Sequence, residues 1–251
     1  MKGRKRRIDY RTRRGTLVIE LKSMHRIISS APRGGGILRA RSILNHQVPA
    51  HPSMLKRHVA RTWGDPARYL GRLAARMKAA MPMVGLMTAV PMKQLVVDHE
   101  QSGPVWIECF CTVGVTNAVR AGEPLPITRR MDGRHVPGTI NIILVTNATL
   151  TMTAMVGAVQ VATESKTGTL IKHKVPSSSR KSSLATGTGT DAVVIASSLE
   201  GIHRVRYSGT HTEIGAMIGR LVTRCVRAGL SRSARWYQTR SRQADRPHAP
   251  A

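Results

Sequence analysis

The segment from Thr139 to Val145 is an apolar run broken only by Asn141, and a helical pattern follows it from Thr151. A run of this kind, rich in β-branched residues, reads as a strand covered on both faces. It has no place at a solvated edge, so the rest of the chain must supply a layer on either side of it. Asn141 then needs a partner inside, because a buried amide left unpaired costs about 1–3 kcal/mol.

Around that strand the chain is electrically neutral: from Ala79 to Ile171, six Lys or Arg are balanced by six Asp or Glu. The excess sits elsewhere. All 251 residues together carry a formal charge of +27, with eight Lys or Arg among the first 14 residues and a dense basic tail from Arg232 to Arg246. Charge of this size favours association with nucleic acid, and a basic nucleic-acid-binding protein is one function class to weigh. No zinc-finger spacing, aromatic RNA-binding motif or recognition helix accompanies it. Solvated arms are the plainer account, and nucleic acid stays an alternative partner on charge alone.

Aromatic residues are 3% of the chain, so the core must be built from Val, Ile, Leu, Met and Ala. Cys109, Cys111 and Cys225 are an odd set without a disulfide-framework spacing, which suits a reducing, cytoplasmic setting. Cys109 and Cys111 alternate on a strand; with no second pair at zinc-site spacing they read as packing, and no metal is expected. The uncharged stretch from Val136 to Thr163 holds nine Thr, Asn or Gln besides Pro137, Gly138 and Gly157. That is too polar for a bilayer span, and no secretory leader is expected either. Walker A and dinucleotide fingerprints are absent.

Patterning predicts strands over 16–21 and 26–30, a turn at Arg33–Gly36 and a loop over 45–63. Asp65-Pro66 opens a helix, with Asp65 as its cap and Leu70, Leu73 and Met77 along one face. Further strands are expected at 84–90, 95–97, 105–111 and 192–196, with a polar connection at 116–122 and a basic, Ser-rich loop at 172–183. Met152, Met155, Val156 and Val159 mark the helix after Thr151. Thr210-x-x-Glu213 reads as a capping box opening a helix lined by Ile214, Met217, Ile218, Leu221 and Cys225. The class is α+β: a single domain over 15–228, with mixed sheet or sheets covered by helices. A basic disordered arm (1–14) and a basic disordered tail (229–251) flank it.

Thr139, behind Gly138, is a candidate nucleophile, although threonine at a strand start is also simply β-favouring. A chain that breaks between Gly138 and Thr139 frees an amine able to activate the Thr139 hydroxyl. The run Thr186-Gly187-Thr188-Gly189-Thr190-Asp191 offers hydroxyls and backbone N–H groups to an oxyanion or amide. It is equally a plain Gly turn capped by Asp191. His211, beside Ser208, Gly209 and Thr210, is a general acid/base candidate or a structural histidine at a helix start. His211-Thr212-Glu213 matches half of the zinc-deaminase signature and lacks its P-C-x-x-C half, which excludes that assignment.

Several segments together resemble the adenosylcobinamide amidohydrolase family. They are Ser29-Ser30-Ala31 with Gly34-Gly35-Gly36, Val84 to Ala89, Gly114 to Ala118 with Ala121-Gly122, Pro137 to Leu144, Thr163-Glu164-Ser165-Lys166, Thr186 to Asp191, and Tyr207 to Gly215. They follow the family's order over most of residues 15 to 225. The resemblance implies cleavage of the amide joining a corrin propionyl side chain to aminopropanol, giving adenosylcobyric acid in corrinoid salvage. The corrinoid is then the substrate, no cofactor is needed, and a homo-oligomer is compatible. A corrinoid-binding protein without catalysis is another alternative. The basic arm, the 172–183 loop and the basic tail depart from the family's pattern.

A second similarity, carried by Gly138-Thr139 and by Thr188-Gly189-Thr190-Asp191 ahead of strands, is to self-processing β-aminopeptidases and ornithine acetyltransferases. It implies an αββα sandwich. On these resemblances Thr139, His211 and Asp191 are the expected catalytic residues, with donors near Thr188–Thr190 on the oxyanion. Asn117, Asn141, Thr186, Thr188, Gly189, Thr190, Ser30 and Gly35 are the expected substrate contacts.

Overall fold

The computed structural model describes residues 7–48, 64–124, 138–201 and 203–244, with side chains as far as 236. Residues 49–63 of the expected loop, the first six of the arm and the last seven of the tail lie outside the described residues. The elements are β1 (Asp9–Arg13), β2 (Thr16–Ser29), β3 (Gly36–Gln47), α1 (Pro66–Arg76), β4 (Met83–Thr88), β5 (Val96–Ser102) and β6 (Val105–Val113). They continue as β7 (Ala118–Val119), β8 (Ile140–Thr146), β9 (Thr149–Leu150), α2 (Met152–Lys172), β10 (Gly187–Thr188), β11 (Ala192–Ser198), β12 (Arg204–Val205) and α3 (Glu213–Ala244).

Eight strands form one mixed sheet in the order β4-β3-β2-β11-β8-β6-β5, with β1 also paired to β2. The pairs β3–β4 and β8–β11 are parallel. The sheet doubles over on itself because β2 is long and irregular. Its first half, Thr16–Glu20, holds β1, and its second half, His25–Ser29, holds β11. Between Glu20 and His25 the register against β3 breaks, and the extra residues let the ladder bend. The two halves then face each other. Ile43, Val84 and Leu86 from one share a buried cluster with Phe110, Ile143 and Val194 from the other. Asn45 of β3 even donates to the Thr112 hydroxyl of β6 at 3.2 Å, although those strands are not sheet neighbours.

Helices close the outer faces. Ala74 of α1 packs on Val18 and Leu44 outside one half. Met155 and Ala158 of α2 and Leu221 of α3 cover Ile142, Leu144 and Ile195 outside the other. The layering is helix, sheet, sheet, helix, and it satisfies the demand made by β8, whose seven residues are all buried. Asp65 accepts the Arg68 N–H at 2.8 Å, capping α1 as its sequence implies. Thr151 caps α2 through the Ala154 N–H at 3.2 Å. Cys109, Cys111 and Cys225 lie buried together where β6 meets α3. Contact with Cys225 and burial push the Cys109 thiol well above its ordinary range.

Several expectations are corrected. The two strands expected at 16–21 and 26–30 are one, and β3 runs through residues expected in a turn or loop. Leu38 and Ala40 alternate with exposed Arg39 and Arg41, a period-two strand signal that the reading of a turn and a loop misses. Residues 9–13 of the supposed disordered arm form β1, where Tyr10 meets Phe110 edge-on with ring centroids 5.0 Å apart. The supposed tail is helical to Ala244: Ser233 is buried, and Lys93 lies 3.8 Å from the centre of the Trp236 ring. The cap of α3 is Thr212, whose hydroxyl accepts the Gly215 N–H at 3.1 Å. Glu213 turns instead to Ser102. Among the described residues no helix is long and apolar enough to cross a membrane.

Arg224 of α3 bridges Asp98 at 2.9 Å and Glu100 at 2.6 Å, and Arg220 adds a second contact to Glu100 at 2.7 Å. Burial pushes the Glu100 carboxyl up, but hydrogen bonds from Arg224 and Arg220 outweigh it and hold the group below its ordinary 4.5. A carboxylate lowered by folding adds stability that is present above its unfolded value and lost as pH falls through the folded one. Urea midpoints measured downward from pH 5 should therefore fall less steeply for Glu100→Gln than for the wild type.

Candidate active site

Parallel β8 and β11 begin side by side at the edge where the two sheet layers part. A cavity of about 330 Å³ opens there, lined by Thr139 and Asn141 on one side, Thr190 and Asp191 on another, and Met87 and Thr88 at the end of β4. Thr139 is buried, and its hydroxyl donates to the Thr190 carbonyl at 2.7 Å, 3.4 Å from Asn141 Oδ1. Asn141 has the inside partners its position demands. Its Nδ2 donates to Asn45 Oδ1 at 3.0 Å and to the Met87 carbonyl at 2.8 Å, tying the layers together beneath Thr139.

The Thr186–Asp191 turn brings two groups to the residue before Thr139 and to the residue after it. Thr190 Oγ1 donates to the Gly138 carbonyl at 3.3 Å, and Asp191 Oδ1 accepts the Ile140 N–H at 2.9 Å. Asp191 also takes the Thr188 hydroxyl, the Thr188 N–H at 3.0 Å and Lys166 Nζ at 2.6 Å. Two glycines make these approaches possible. A Cβ on Gly187 would stand 2.7 Å from Asp191 Oδ2 and 2.9 Å from Lys166 Nζ. One on Gly138 would stand 2.6 Å from Asn117 Oδ1 and 2.7 Å from both the Gly114 carbonyl and Thr116 Oγ1.

Of the residues singled out in the sequence, Thr139, Asn141, Thr190, Asp191 and Ser30 line the cavity. Thr188 stands behind Asp191. Asn117 packs on Gly138 with its buried Oδ1 unpartnered among the described residues. Thr186 is occupied in the β7–β10 connection, where its hydroxyl accepts the Ala121 N–H at 2.8 Å. Gly189 is exposed on the turn. Gly35 shapes the bend after β2, with the Ala31 carbonyl 2.9 Å from where its Cβ would be. Neither glycine lines the cavity.

His211 does not join this group. It is exposed just ahead of α3, beyond the far ends of β8 and β11, where β9 pairs β12. Each parallel strand is seven residues long, so roughly 20 Å of strand separates that edge from Thr139. The linear nearness of hydroxyls to His211 carried no information about which sheet edge it reaches. The residue missed in exchange is Lys166, the one buried Lys or Arg among the described residues. A signal for it existed: Lys166 shares a face of α2 with buried Ala162 and Leu170, one turn to either side, where a lysine needs a counter-ion.

A family model for adenosylcobinamide amidohydrolase matches residues 2–238. An adenosylcobinamide amidohydrolase of Methanosarcina mazei is 31% identical over 206 residues, which is 78% of this chain and 86% of that protein. An uncharacterized protein of Methanocaldococcus jannaschii is 31% identical over 224 residues, 84% of each. Among solved structures, a Burkholderia sp. β-aminopeptidase overlays with a TM-score of 0.39 at 12% identity, covering 87% of this chain and 78% of that one. A match over nearly the whole chain, together with relatives at this identity, shows that the protein belongs to the adenosylcobinamide amidohydrolase family and is a hydrolase of amide bonds.

Proposed function

We propose that the protein hydrolyses the amide linking a corrin propionyl side chain to aminopropanol, converting (adenosyl)cobinamide to (adenosyl)cobyric acid. The observation that carries this reading is a buried threonine hydroxyl in a cavity with the Thr190 carbonyl and the Asn141 amide around it. A space of about 330 Å³ suits an amide side arm, with the macrocycle remaining at the mouth. Asp191 is the one charged residue among the described residues that line it, and Lys166, behind it at 2.6 Å, neutralises that charge, so an uncharged arm meets no unpaired charge from them.

Thr139 Oγ attacks the side-chain carbonyl; the carbon–nitrogen bond breaks and aminopropanol leaves with a proton. Water then cleaves the resulting ester, releasing the carboxylate and restoring the hydroxyl. The base is the α-amine of Thr139, freed when the chain breaks after Gly138. Support for that break lies in the Thr190 hydroxyl, which already donates to the Gly138 carbonyl, where charge develops when Thr139 attacks it. The Thr190 hydroxyl then serves the oxyanion of the substrate, since the Thr188 N–H is held by Asp191 and the Thr190 N–H by the Thr188 hydroxyl.

Incubation with adenosylcobinamide, followed by mass detection of aminopropanol and cobyric acid, tests the reading. Binding of the corrinoid without release of either product rejects it. Intact-mass measurement tests the base separately: two fragments meeting between Gly138 and Thr139 are expected, and full activity from an uncut chain would remove the amine from the mechanism.

A further inference from the structure

Lys166 has no place among the residues that face the cavity, yet the arrangement around Thr139 depends on it. Burying an ammonium is expensive unless a partner and further hydrogen bonds compensate. Here the partner is a carboxylate 2.6 Å away, and both side chains are shielded, at 9% and 13% exposure. Asp191 collects four donors, and they come from three places. Two belong to Thr188 in its own turn, one is the Ile140 N–H at the head of β8, and one is Lys166 from the helix layer. Lys166 is the only charged donor among them, and the only one from outside the sheet and its turn. Its neighbour Thr167 donates to the Thr186 carbonyl at 2.9 Å, so consecutive residues of α2 hold both ends of the turn.

That turn carries the groups that surround the nucleophile. The Thr190 carbonyl accepts from Thr139, and the Thr190 hydroxyl donates to Gly138. Their position relative to β8 is set by Asp191 gripping Ile140, and Asp191 is gripped in turn by Lys166. Gly187 has no side chain where the ammonium and carboxylate meet, which is the space such a clamp requires.

We infer that Lys166 is a positioning residue for amide hydrolysis, acting through Asp191 to hold the 187–191 turn in register with Thr139. The inference rests on Thr139 being the nucleophile proposed above. Displacing a reacting group by about 1 Å costs about 100-fold in rate. Lys166→Met is therefore expected to lower kcat for aminopropanol release about 100-fold, while KM stays within about twofold because the cavity wall is unchanged.

The test is a double-mutant cycle on kcat with adenosylcobinamide, using Lys166→Met, Asp191→Asn and the double variant. Because the two residues act as one unit, the double variant should be no slower than the slower single variant. It also removes both charges together, so it keeps the experiment readable if a bare buried carboxylate unfolds Lys166→Met. Lys166→Ala should regain activity with added propylammonium and not with propanol. Multiplicative losses of about 10⁴-fold in the double variant, or a Lys166→Met enzyme as active as wild type, overturn the inference. A wild-type protein that releases no aminopropanol overturns the nucleophile assignment and this inference together, which separates the two failures.

Discussion

Thr139→Ala should abolish aminopropanol release, by about 10³-fold or more, because it removes the atom that forms the covalent intermediate. The fold should survive the change. The hydroxyl makes one hydrogen bond to the Thr190 carbonyl, and losing a bond of that kind costs about 1 kcal/mol. For a chain of this size that corresponds to about 2–4 °C in Tm. Thr139→Ser keeps the nucleophile and should retain activity within about tenfold, the loss reflecting a side chain no longer held in one rotamer by its methyl group. Steady-state rates beside thermal melts decide the matter. A folded and active Thr139→Ala enzyme would remove Thr139 from the chemistry, and Thr139→Ser keeps the test readable if the alanine variant unfolds.

Gly138→Ala should be the most damaging single methyl group in the site. It would press into Asn117 Oδ1, the Gly114 carbonyl and Thr116 Oγ1 at 2.6–2.7 Å, and the carbonyl belongs to backbone that has little room to retreat. Overpacking of this kind costs about 1–3 kcal/mol. The strain falls on the residue directly before Thr139, so chain cleavage and hydrolysis should both fail even where the fold is retained. Gly189→Ala makes the contrast. Nothing lies within 4 Å of its added Cβ, and its stability should stay within about 0.5 kcal/mol of wild type. Urea melts, intact mass and cobinamide turnover on the two variants separate a packing role from mere turn flexibility. Equal behaviour of the two would contradict the close packing seen around Gly138.

The elements whose signals are local were readable in the residues. Asp65-Pro66 declares a helix start because capping and the fixed proline φ act within one turn. The apolar run after Thr139 declares burial on both faces, and Asn141 in its midst declares a need for partners. Where the signal depends on distant chain, it failed. The residues of β1 look like an arm until β2 supplies their hydrogen bonds and Phe110 supplies a surface for Tyr10. Thr210 reads as the cap of the last helix until the folded chain gives that place to Thr212.

Composition and local pattern alone determined that this chain builds a largely aliphatic α+β core around a doubly buried strand, headed by a glycine and a threonine. Hydrophobic periodicity and capping act over a few residues, and a linear string records them directly. Only tertiary structure decided which polar groups meet there. The parallel start of β8 beside β11 delivers Asp191 to Thr139 and carries His211 away to the opposite edge, while the docking of α2 brings Lys166 in. Those meetings follow from strand order and direction, which depend on how distant segments pair and not on any one segment's own residues.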